Sequence, residues 1–171
     1  TAVNGEVFRD DKGVFSAFRN SLLSYYPENI WRERLASEIH AFSSSLQVNY
    51  SRCMARKDTV AAEICKVNGI KAAMEIFFLL RRVYPPYYKW TYRKMTKIDA
   101  DGKYSSLIHE LSVAECDVSA WEGKIYNGRY INMNDRIVLI TEQIAGLIVS
   151  TLRQHGLTEG YDPYLETYVD E

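Results

Sequence analysis

The sequence predicts an all-α protein, an antiparallel bundle of about six helices in a single domain over residues 1–171. Three observations carry that reading. Apolar residues recur at steps of three and four through most of the chain, as the buried face of a helix requires. Runs of alternating β-branched residues are missing, and Asn127-Gly128 joins weak flanks instead of two strand-like segments. Composition is globular: 171 residues, 47% hydrophobic and 25% charged, long enough for a real core and too apolar for disorder. The net charge of −1 gives no global field that would attract nucleic acid or a membrane.

Each element has a local reason. Asp10 or Asp11 starts a short first helix with Phe15, Phe18, Leu22 and Leu23 on one face. Pro27 suits the first turn of a second helix, where a missing N–H costs nothing. Ile30, Trp31, Leu35, Ile39 and Phe42 form its stripe, and Ser43-Ser44-Ser45 ends it. A third segment covers residues 48–56. Asp58 is the expected N-cap of the longest helix, which runs to Val83 with Val60, Ile64, Val67, Ile70, Met74, Phe77 and Phe78 as its apolar face. Pro85-Pro86 stops it, because proline disfavours helical geometry in the residue before it. A fifth helix is expected over 87–97, a turn over 99–103 and a sixth helix over 104–120. Asn134 or Asn132 caps the last helix, which carries Ile137, Ile140, Ile144, Leu147, Ile148 and Leu152 and stops at Gly156. Exposed apolar positions on that helix would support a dimer. The acidic tail after Gly160 is expected to fray.

No secretory leader pattern opens the chain, and its most apolar stretch, 137–152, falls short of the ~18 residues that suggest a membrane span. Cys53, Cys65 and Cys116 are widely spaced, with no CxxC pair, which points to a reducing cytoplasm and against a zinc site or disulfide scaffold. The chain begins at Thr1, as a piece of a longer protein would.

The most distinctive segment is 84–94, where Tyr84, Tyr87, Tyr88, Trp90 and Tyr92 interleave with Lys89, Arg93 and Lys94. Arg81, Arg82 and Lys97 flank it, and no acid lies between Arg81 and Lys97. On a helix Lys89 and Arg93 share a face, so they can hold a phosphate while Trp90 stacks on a base. The other reading makes the aromatics packing residues and the cations a solvated surface. Asn49, Arg52 and Arg56 also align at helical spacing, either to grip an anion or to form interhelix ion pairs with Glu63 or Glu75.

Arg34 followed by His40 resembles the motif of the small helical ribonucleases called HEPN, in which histidine helps transfer a proton and arginine stabilises the phosphorane. Leu35 departs from that pattern, and the alternative is an ordinary surface histidine. Asp99-Ala100-Asp101-Gly102 is read as a polar loop. Lys103 and Tyr104 spoil a calcium loop, and no Gly-Ser turn precedes it as a nucleotidyltransferase metal pair would need. Phosphate-loop, dinucleotide, nucleophile-elbow and zinc-helix motifs are missing.

Several strings together resemble one bacterial family. They are Val7-Phe8-Arg9-Asp10, Tyr25-Tyr26-Pro27-Glu28, Trp31 with Leu35-Ala36, Asn49-Tyr50 with Arg52 and Arg56, and Tyr84-x-Pro86-Tyr87-Tyr88-Lys89-Trp90 with Arg93. The family is a helical domain of unknown function that forms the C-terminal part of nucleotidyltransferase-like proteins, and the resemblance covers residues 7–111. It implies a fold similar to the substrate-binding bundle of kanamycin-type nucleotidyltransferases. It implies an upstream catalytic domain in the same polypeptide, with magnesium and a nucleoside triphosphate bound in the full-length protein. This chain would then be an accessory domain without catalysis of its own. Asn49, Tyr50, Arg52 and Arg56 would line the substrate cleft on one helix, and Tyr87, Lys89, Trp90 and Arg93 on another. Arg81-Arg82 departs from the Leu-Asn expected before the Tyr-Pro turn. Two alternatives stand beside this reading: a HEPN-like ribonuclease using Arg34 and His40, and a helical protein-interaction module.

Overall fold

The computed structural model of the protein describes residues 3, 5–125 and 131–170, so Asn127-Gly128 lies outside the described residues. Every regular element among the described residues is helical. The α-helices are α1 (Val14–Leu23), α2 (Glu28–Phe42), α3 (Tyr50–Ala55), α4 (Thr59–Leu80), α5 (Thr91–Ile98), α6 (Lys103–Val113) and α7 (Arg136–Gln154). A π-helical stretch, Ser43–Asn49, joins α2 to α3. Single 3-10 turns occupy Tyr88–Trp90, Ser119–Trp121 and Leu165–Tyr168.

The three serines do not end the second helix. Helical geometry continues through the π-helical stretch into α3, making one long rod from α2 to α3. The wider π turn lets Ser43, Leu46 and Gln47 all face inward, which three consecutive polar residues do not suggest. Lys57, at φ 61, then reverses the chain. Asp58 caps α4 as its position predicts, accepting from the Ala61 N–H at 3.0 Å. The rod and α4 form an antiparallel hairpin. At one end the Trp31 indole N–H donates to the Leu79 carbonyl at 2.8 Å, and Arg82 meets Glu28 at 2.8 Å.

α4 is the central helix, packed by α2, α3, α5, α6 and α7. Its last five residues, Ile76 to Leu80, are buried on all sides. Its first half buries Ala62, Lys66 and Gly69, while Val60, Ile64 and Val67 lie exposed. The expected stripe is therefore inverted there, because small residues are what allow the rod to approach closely. Lys66 is buried but satisfied by the Ala114 carbonyl at 2.7 Å and by Glu63.

Other boundaries differ from expectation. α6 ends at Val113 and not near Ala120, because the chain turns extended at Ala114. Asp135, and neither Asn132 nor Asn134, caps α7; its carboxylate accepts from the Ile137 and Val138 N–H groups. Asn132 donates instead to the Ala120 carbonyl. α7 is 19 residues long, enough by length and apolarity to cross a membrane, but Ile137, Ile140, Ile144, Ile148 and Leu152 are buried in the bundle. The exposed apolar positions expected on it are not found; such positions lie instead on α4 and on α1. α1 buries none of its residues, and Val14, Phe15, Phe18 and Leu23 stay exposed.

The tail does not fray at its described residues. Leu165 and Tyr168 are buried against the rod, and the Gln47 amide donates to the Pro163 carbonyl and accepts from the Leu165 N–H.

Candidate functional site

The functional candidates separate along α4. That helix has 22 residues and is therefore ~33 Å long. Asn49, Arg52 and Arg56 stand beside its N-terminal end, whereas residues 84–97 follow its C-terminal end. The structure does not bring the two sets into one cleft. Tyr50 leaves the candidate list on burial. It is fully enclosed, its hydroxyl donates to Asp135 at 3.0 Å, and burial pushes its ionisation far above the ordinary tyrosine value. Arg52 and Arg56 are exposed and Asn49 is half-buried.

Arg34 and His40 engage separate partners. The Arg34 guanidinium lies 5.0 Å from the Tyr26 ring centre, while His40 Nδ1 is 2.7 Å from Glu166 near the C-terminus. The geometry therefore pairs neither with the other as a ribonuclease site needs. Asp99 and Asp101 serve the turn before α6, as the polar-loop reading predicts. Asp99 accepts from the Ser105 N–H at 2.7 Å, and Asp101 from the Lys103 N–H at 3.2 Å. Among the described residues, no group of three or more His, Cys, Asp or Glu side chains is arranged to hold a metal. The three cysteines are free, and burial pushes Cys65 and Cys116 up to about 11, so neither is an activated thiolate.

The end of the hairpin beyond α4 is built differently. Arg82 takes φ 51, a left-handed conformation that suits the Asn expected there better than Arg. It is held in place by Glu28 and by the Trp31 ring, whose centre lies 3.9 Å from the guanidinium. Tyr25, at φ 71, packs with Tyr26 and Tyr84 in a triangle of rings with centroids 4.8, 4.8 and 4.9 Å apart. This triangle ties the loop before α2 to the loop after α4. It anchors the segment that follows, because Pro85-Pro86 then carries the chain away from α4 extended.

Beyond that anchor the aromatics are open: Tyr87 is 63% exposed, Tyr88 75%, Trp90 48% and Tyr92 37%. Lys89 Nζ lies 5.8 Å from the Tyr87 ring centre and 5.6 Å from that of Trp90, and the Arg93 guanidinium is also 5.6 Å from Trp90. A cavity of ≈ 540 Å³ opens between Tyr84, Pro86, Tyr87, Trp90, Lys94 and Val3. A second, of ≈ 380 Å³, adjoins it across Trp90 and is lined by Pro86, Arg93, Lys94 and Lys97. No described carboxylate pairs with Lys89, Arg93, Lys94 or Lys97, whereas Arg81 is directed at Asp99 (3.8 Å) and Arg82 at Glu28. Four unneutralised cations around half-exposed rings can take a phosphate and a flat base together.

A family model described as a domain of unknown function (DUF4037) matches residues 1–91, just over half of the chain. The chain belongs to this family. No curated protein and no solved structure matches it. The DUF4037 match includes the rod, α4 and the aromatic segment through Thr91, and stops before Arg93 and Lys97.

The family resemblance singled out Tyr87, Lys89, Trp90 and Arg93, within a segment that the sequence marks by its aromatic and basic residues. It did not place Lys94 or Val3 at the cavity. Lys94 was visible as part of the basic run, but Val3 comes from a distant stretch of chain that carries no local signal.

Proposed function

We propose that this DUF4037 chain is a non-catalytic helical module that binds nucleotide at the 84–97 end. It would be the accessory part of a cytoplasmic nucleotidyltransferase whose magnesium-binding catalytic domain lies upstream in the same polypeptide. The observation that carries the reading is the set of cations without carboxylate partners, Lys89, Arg93, Lys94 and Lys97, gathered around exposed Trp90 beside an open cavity. Phosphoryl-type transfer draws most of its stabilisation from charge placed around the phosphates. Lys89 and Arg93 would supply that charge from this side, with Trp90 and Tyr87 against the base. The resemblance to nucleotidyltransferase-associated helical domains supports the catalytic partner, the magnesium and the triphosphate. The Asn49, Arg52 and Arg56 group is left out of this site by its distance along α4.

Calorimetric titration of ATP into the chain tests the binding. The expected result is binding that weakens as salt rises and falls at least five-fold in each of Lys89→Ala and Arg93→Ala, with the melting temperature unchanged. Equal affinity in both variants overturns the assignment. In the full native polypeptide, magnesium-dependent nucleotide transfer should fall in the same two variants.

A further inference from the structure

Resting on the reading of the 84–97 end as a phosphate site, we propose that the ligand it takes is a single-stranded nucleic acid of several nucleotides, held along α5. The arrangement of the cations points there. Lys89, Arg93 and Lys97 follow at steps of four residues, so they rise along one side of the 3-10 turn and α5 by about 6 Å each. A mononucleotide needs its cations converged on one triphosphate. A row with one cation per helical turn instead meets one phosphate after another along an extended strand.

The aromatics repeat the same pattern. Trp90 stands between the two cavities, so a base can lie on either side of it, and Pro86 and Lys94 line both. Tyr88 is three-quarters exposed with its ring 4.5 Å from that of Tyr87, an open face for a further base. Tyr92 is braced by its hydroxyl, which donates to the Ser105 carbonyl at 3.2 Å, and leaves part of its ring outside. Successive aromatic faces beside a basic track are the means by which proteins hold single strands without reading their sequence. The overall charge of −1 gives no net field toward a polyanion, so a long duplex would gain little beyond the local contacts that a short strand already makes.

Fluorescence anisotropy with a labelled ten-nucleotide uridine oligomer tests this, with ATP, an abasic strand of equal length and anionic vesicles as comparisons. The oligomer should bind at least ten-fold tighter than ATP. The slope of log K against log salt should be about −2, for three phosphates at roughly −0.7 each. Lys97→Gln should flatten that slope by about 0.7 and weaken the oligomer about five-fold, more than it weakens ATP. Tyr88→Ala should weaken the oligomer, and not the abasic strand, by a similar factor. If ATP binds and the oligomer binds no tighter, the strand proposal falls and the nucleotide site stands. If the abasic strand or the vesicles bind as tightly as the oligomer, the surface takes polyanions without using bases, and the proposal falls. If neither ATP nor the oligomer binds, both readings fall together.

Discussion

Asp135 sits almost fully buried where three parts of the chain meet. Its Oδ2 accepts from the Tyr50 hydroxyl at 3.0 Å and from the Trp121 indole N–H at 2.6 Å, and its Oδ1 caps α7. Replacing it removes the acceptor shared by the Tyr50 hydroxyl and the Trp121 indole together with the cap of α7. Asp135→Ala should therefore lower unfolding stability by about 3 kcal/mol or more, measured by urea denaturation. Tyr50→Phe removes only one donor and should cost about 1 kcal/mol. Glu38 and Glu75 behave in the opposite sense. Burial pushes both carboxyls above the ordinary glutamate value, and Glu75 raises Glu38 further, although Arg34 and Lys71 pull the other way. The folded state then holds these protons more tightly than the unfolded state. Stability from this source is full below the ordinary glutamate pKa and is lost as pH rises through the raised one. Glu75→Gln should raise the melting temperature at about pH 7, and the gain should vanish below about pH 4.

At the scale of elements, the contact between the π-helical stretch and α4 explains a glycine that helix propensity disfavours. A Cβ built on Gly69 would lie 2.3 Å from Cγ and Cδ1 of Leu46, which is itself buried. Overpacking of that kind costs about 1–3 kcal/mol, while Ala gains about 1 kcal/mol in helix propensity. Gly69→Ala should thus destabilise by about 1 kcal/mol in thermal unfolding, against the usual direction for a mid-helix glycine. Gln47 makes the neighbouring contact, and Gln47→Ala should release the tail. Faster amide exchange confined to residues 164–168 would show it, whereas unchanged protection would mean Leu165 and Tyr168 suffice. These long-range contacts mark where the sequence stopped being legible. Helix existence and the Asp58 cap are local and were readable, but α4 ends at Leu80, where the left-handed Arg82 turns the chain before Pro85-Pro86, and not at Val83 as expected. The π turn, the Asp135 cap preferred over two nearby asparagines and the outward-facing Val60, Ile64 and Val67 all depend on what lies opposite. Periodicity alone cannot tell a small-residue face that packs closely from a large-residue face that does not.

Over the whole molecule, the hairpin of rod and α4 sets the functional geography. Its closed end, at α3, carries Asn49, Arg52 and Arg56. Its open end carries the tyrosine triangle and the basic aromatic segment, with Arg82 and Glu28 between them. The residues that sequence reasoning assembled into one cleft are therefore about a helix length apart. The chemistry of 84–97 was legible because it needs only composition, aromatic rings among cations with no acids. The separation was not, because it depends on how the rod continues past Ser43. The central claim is that nucleotide binds at Trp90, and the three tryptophans allow it to be tested directly. Trp31 and Trp121 are buried, at 1% and 2% exposure, and Trp90 is 48% exposed. In a proton–nitrogen correlation spectrum of the indole groups, titration with ATP should move the Trp90 resonance progressively and leave the other two in place, and Arg93→Ala should reduce that movement. ATP binding that leaves the Trp90 resonance unmoved would contradict the account.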